Sequence, residues 1–199
     1  QEYFSLLSTT GRNEELVSHE CDLPENLSQR IDGLVDKVIA IEKLKETRVF
    51  CGFTRLSHVR SETAPNPQEQ LWENIPDKRE NRWLPASVTY GEGLLINLNN
   101  NLLKKWETKE IVKKHISVMQ ENMDECQYKM NWAPIEVKPR YVLLHTLSHL
   151  LINQLIYECG YSSSSLRERI YSNDEEKEMS GILIYSASGD SEGTMGGLV

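Results

Sequence analysis

Residues 140–160 read RYVLLHTLSHLLINQLIYECG. Apolar side chains cover most of a helical circumference between Val142 and Ile156, which is the pattern of a helix lying in a core. The reading is a helix over 140–158, central in the fold and closed by Gly160 as a C-terminal cap. Two His, one Asn and one Gln interrupt the apolar run from Tyr141 to Tyr157, so it falls short of a membrane span.

The flanks supply what this helix would pack on. Beyond the serines 162–165, Leu166–Tyr171 and Gly181–Ala187 read as strands joined through the acidic residues 173–178. SSSSLRERIY could instead open a short helix at Ser165. Before the central helix, Asn99–Asn101 cap a helix near 101–125, with Leu103, Trp106, Val112, Ile116, Met119 and Met123 on one side. Pro134 and Pro139 bracket the connection. SVTYGEGLLINL, residues 87–98, is a strand, bulge and strand, or a tight hairpin at Gly91-Glu92-Gly93. Residues 48–54 read as a strand or extended segment.

Leu27, Ile31, Leu34, Val38 and Ile41 recur at helical spacing behind Pro24 and a capping Asn26, which predicts a third helix over 26–46. Residues 61–85 carry four prolines and form a long irregular insertion, parts of which Trp72 and Trp83 would pack. The fold class is α+β or α/β. A small mixed sheet, from segments near 49, 88, 95, 168 and 183, is packed by three main helices in a single domain over 1–199.

The bulk composition sets limits. Of 199 residues 39% are hydrophobic and 26% charged, enough for a core. A net charge of -8 repels nucleic acid overall, so DNA contact needs a local basic patch. The four cysteines (Cys21, Cys51, Cys126, Cys159) form no CxxC pair; a closed zinc site within the chain is not expected, and the compartment reads as reducing and cytoplasmic. The ends, Gln1 and the apolar Gly196-Gly197-Leu198-Val199, read as cuts in a longer protein.

Three constellations carry possible chemistry. In His145-Thr146-Leu147-Ser148-His149 two histidines four apart share one side of a helix, as zinc ligands on a helix must. A metalloprotease motif needs Glu after the first His, where Thr146 stands. Glu158, or an acid of the terminal loop such as Asp190 or Glu192, could complete a metal-dependent hydrolase or nuclease. The plainer reading has both rings at the core edge, bonded to backbone or Ser148. The loop SGDSEGTMGGLV, residues 188–199, lacks the lysine of a phosphate-binding loop and lies among acids, so turn chemistry fits it better. Lys104, Lys105, Lys113 and Lys114, with Arg55 in looser company, could meet a phosphate backbone, or form a solvated face balanced by Glu107 and Glu110.

VFCGFTRL (49–56), WLPASVTYGEGLLINL (83–98), the segment 141–160 and the segment 180–199 occur in this order in a known family. With GFTR, GEG, HTLSH and SGDSEGTMGGLV as its most specific pieces, the chain resembles the DrmB family of the DISARM anti-phage system. The resemblance implies an accessory protein that partners a superfamily 2 helicase, a DrmA-like subunit, and acts with it on invading DNA; the favoured reading is a non-catalytic scaffold that assists binding of foreign DNA. It also implies a zinc-binding cysteine segment beyond Val199, with no cofactor in this chain itself. His145, His149, Asp190, Glu192 and Arg55 are the matching positions that remain candidates for function. A protein-interaction module with no DNA contact is a further alternative.

Overall fold

The computed structural model describes residues 2–8, 14–31, 33–50, 84–162, 164–175 and 177–186. Within them the chain runs α1 (Glu2–Leu7), β1 (Leu16–Glu20), α2 (Glu25–Ile31), β2 (Val35–Val49), β3 (Ala86–Leu98), α3 (Asn100–Glu107), α4 (Glu110–Met130), α5 (Pro139–Cys159), β4 (Leu166–Asn173) and β5 (Met179–Ser186). The strands form one antiparallel sheet in the order β1-β2-β3-β5-β4, so the fold is α+β. Residues 1–44 with 90–199 form one compact unit and residues 45–89 a second. In the second, Phe50 N–H donates to Pro85 O at 2.9 Å, and Arg48 holds Glu46 at 3.0 Å. The remainder of the 61–85 insertion lies outside the described residues.

Two apolar clusters cover the two faces of the sheet. On one, Tyr3 and Leu6 of α1 pack on Ile39, Ile41, Leu95, Tyr171, Leu183 and Tyr185. On the other, Leu144 of α5 and Leu103 of α3 pack on Leu98, Leu166, Ile182 and Ile184, with Leu147, Leu151, Leu155 and Ile156 against them. Arg140 is 2% exposed at the foot of α5. Its Nε and Nη2 grip the Glu107 carboxylate at 2.8 and 3.4 Å, while Nη1 donates to Asn173 O at 2.7 Å and Asn100 Oδ1 at 3.2 Å. Desolvating a guanidinium is costly unless its donors are matched. This one is matched from α3 and β4, which sets the position of α5 over the sheet.

Several expectations from the sequence are met. α5 spans the expected segment, with Gly160 in the left-handed conformation (φ 73°) as its cap. Residues 166–173 and 179–186 pair as a hairpin, Leu166 opposite Ser186 and Asn173 opposite Met179, so Ser165 starts no helix. Other expectations are corrected. The helix near 26–46 is seven residues of α2 followed by β2. Gly33 takes φ 74°, which L side chains rarely adopt, and turns the chain out of the helix. Residues 86–98 form one continuous strand with no hairpin. Gly93 sits there because a Cβ would lie 2.7 Å from Ile184 O and 2.8 Å from Tyr185 Cβ.

The helix near 101–125 is two. Thr108 Oγ1 bonds back to Lys105 O at 2.9 Å and closes α3, a local hydrogen bond of the sort that competes with helix continuation. α5 meets α3, α4, β4 and β5, yet it is not buried all round. Only Arg140, Leu144 and Ser148 are fully enclosed, and Tyr141, Leu150 and Tyr157 face out.

Candidate functional site

α5 and β4 together build the one cluster of potential metal ligands found among the described residues: His145, His149 and Glu168. The i, i+4 spacing on α5 stacks the two rings edge to face at 4.5 Å between centroids. Glu168 comes from the strand beneath. In β4, Leu166, Glu168 and Ile170 share a face, and Leu166 and Ile170 belong to the cluster under α5. Glu168 is therefore directed at the helix.

Its Oε1 lies 2.9 Å from His145 Nδ1 and 3.4 Å from His149 Nε2. Its Oε2 accepts a hydrogen bond from Ser148 Oγ, whose single proton is shared with His145 O at 2.9 Å. Ser148 is fully buried, whereas Glu168, His145 and His149 keep increasing access to solvent. Tyr141 stacks on the His145 ring, centroids 5.7 Å apart and planes inclined by 12°. His145 Nδ1 is cut off from water and makes no hydrogen bond, although Oε1 lies 2.9 Å away.

The sequence-derived candidates divide sharply. His145 and His149 come together as the helical spacing demands. Ser148 bonds Glu168 and a backbone carbonyl, and neither ring. Glu158 is no third ligand: it accepts a hydrogen bond from Gln154 one turn back on the exposed side of α5. The third donor, Glu168, was missed, although the alternation Leu166-Arg167-Glu168-Arg169-Ile170 marks it as an acid on an inward face. Arg55, Asp190 and Glu192 lie outside the described residues, as does the glycine-rich segment 187–199.

Of the four lysines, Lys104 pairs with Glu178 and Lys113 with Glu110 at 3.0 Å, while Lys105 and Lys114 are exposed. No helix among the described residues is long and apolar enough to cross a membrane.

Comparison with known proteins bears on this geometry. Over 167 residues, 82% of the chain, the sequence is 36% identical to the DISARM protein DrmB of Bacillus paralicheniformis. This is a DrmB-like chain. The DrmB-like chain spans 28% of that relative's length. Its residues 147–199 match the family described as the MrfA Zn-binding domain.

The matched stretch holds Ser148, His149, Glu168 and one cysteine, Cys159. Cys159 stands ten residues along α5 from His149, about 15 Å at helical rise, and belongs to no ligand group of the described residues. Two imidazoles and a carboxylate are a donor set that zinc accepts. The three donor atoms lie within 4.8 Å of one another, and the water-free Nδ1 of His145 has no hydrogen-bond partner among the described residues. The residues fit a zinc ion without any thiolate.

Proposed function

We propose that this chain is the helicase-associated part of a DISARM component, a non-catalytic scaffold of the cytoplasm that docks a DrmA-like superfamily 2 helicase and helps it hold foreign DNA. The observation that carries the reading is the 36% identity to a DISARM DrmB protein over most of the chain. Two features of the surface support it. Tyr128, Trp132 and Ile135 around the end of α4, and Leu150 and Tyr157 on α5, are large apolar side chains left in solvent, Tyr128 and Tyr157 at 90% and 87% exposure. Aromatic side chains of this kind are enriched where one protein meets another. Lys105 and Lys114, with Lys104 and Lys113 in surface ion pairs that a phosphate could displace, supply the local positive charge that DNA contact needs in an acidic protein.

The experiment is co-purification with the DrmA-like helicase of the same system, followed by fluorescence anisotropy on duplex and single-stranded DNA at graded salt. Lys104, Lys105, Lys113 and Lys114 changed together to Glu should weaken binding and flatten the slope of log K against log salt, while leaving the helicase interaction in place. DNA affinity that is absent at low salt removes the DNA part of the reading. Failure to retain the helicase removes the scaffold itself.

A further inference from the structure

We propose that His145 Nδ1, His149 Nε2 and Glu168 Oε1 bind one divalent zinc ion, at a site distinct from any cysteine cluster. Zinc bonds of about 2.0–2.1 Å in a tetrahedron place neighbouring ligand atoms about 3.3 Å apart. Here Oε1 is already 2.9 Å from one nitrogen and 3.4 Å from the other, and all three donor atoms lie within 4.8 Å.

The layer behind the ligands is also in place. Ser148 Oγ, wholly buried, donates to Oε2 and so turns the other oxygen of Glu168 toward the two rings. A carboxylate ligand held in this way is the usual partner arrangement behind a metal. Tyr141 lies flat against His145 and restricts that ring.

The competing arrangement is a protonated His145 bonded to Glu168. It would require an N–H at Nδ1, in the charged or the neutral ring, directed at Oε1, yet this buried nitrogen makes no hydrogen bond although that oxygen lies 2.9 Å away. Two neutral imidazoles and one carboxylate favour zinc over calcium or magnesium, which take all-oxygen shells. The half-exposed rings leave the fourth position to water. Because one ligand comes from β4 and two from α5, the ion would pin the helix to the sheet.

The test uses the 199-residue chain stripped with a chelator and then dialysed against buffered micromolar free zinc, with bound metal counted by mass spectrometry. One zinc per chain is expected. His149→Ala and Glu168→Gln should each abolish it while the far-ultraviolet circular dichroism stays unchanged. Ser148→Ala should weaken binding about 10-fold to 100-fold, the range for loss of a supporting hydrogen bond. Cys159→Ser should bind as the parent does. Cobalt in place of zinc should give the visible bands of a tetrahedral nitrogen and oxygen site, without the intense charge-transfer band of a thiolate. Zinc content in the parent no higher than in His149→Ala, or zinc lost in Cys159→Ser, would overturn the assignment.

Discussion

Replacing Arg140 with Met keeps most of the side-chain length and removes its charge. In the fold Arg140 gives the Glu107 carboxylate two donors and the Asn173 carbonyl a third at 2.7 Å. Stranding one partner of a buried pair costs about 3–5 kcal/mol. Glu107 keeps 17% of its side-chain surface in water, which puts the expected loss at the lower end, about 3 kcal/mol. For a chain of this size that is a fall in Tm of roughly 6–12 °C.

Glu107→Leu, which leaves the more deeply buried guanidinium without a counter-charge, should cost about 3–5 kcal/mol. The double variant should be less destabilised than the sum of the two singles, because no unmatched charge remains. Urea unfolding followed by circular dichroism and by tryptophan fluorescence measures all four species. If Arg140→Met costs under about 1 kcal/mol, or if the double equals the sum of the singles, the pair does not couple α3 to α5 as described.

Three further outcomes rest on separate parts of the fold. Gly93→Ala should cost about 1–3 kcal/mol in urea midpoint analysis, because its Cβ meets the backbone of β5, which cannot swing aside. Tyr3→Phe should cost about 1–3 kcal/mol, since the hydroxyl donates to Asn97 Oδ1 and accepts from Ser180 N–H inside the core; stability equal to the parent would mean the contact contributes nothing. The Lys138 ammonium, hydrogen-bonded to Asp174 at 2.8 Å, draws the Asp174 carboxyl below its ordinary value. That contribution is complete above the unfolded carboxylate range and disappears as pH falls through the lowered folded value. The small stability gap between parent and Asp174→Asn, read from urea midpoints, should therefore close as the solution is acidified, and a gap that widens would contradict the pairing.

Legibility in the sequence followed how many faces of an element are covered. α5 and the β4–β5 hairpin announce themselves, because their caps, turns and apolar periods are local. β2 does not. Ile39 and Ile41 lie in the cluster with Tyr3 and Leu6 of α1, and Ala40 between them, on the opposite side of the strand, is buried as well. A strand enclosed on both faces loses its alternation, and the spacing of Leu27, Ile31, Leu34, Val38 and Ile41 then imitates a helix. The candidate site was half visible for a related reason. Two ligands share a helix turn, which a sequence displays directly. The third depends on which strand runs beneath that helix and on the parity of its residues, and both are set by tertiary packing.

The first helix has a consequence for the order in which the protein is made. Glu2 of α1 bonds Arg169 and Tyr171, and Tyr3 closes over Gly181 and Ser180. These partners emerge from the ribosome roughly 10–35 s after the helix itself, at ordinary synthesis rates of about 5–20 residues per second. Until then Leu6 and Tyr3 have only Ile39, Ile41 and Leu95 of the surface that buries them, whereas α5 and the hairpin after it can assemble within some fifty residues of one another. α1 thus completes its packing only after β4 and β5 are made, and synthesis halted before β4 would leave the sheet half uncovered.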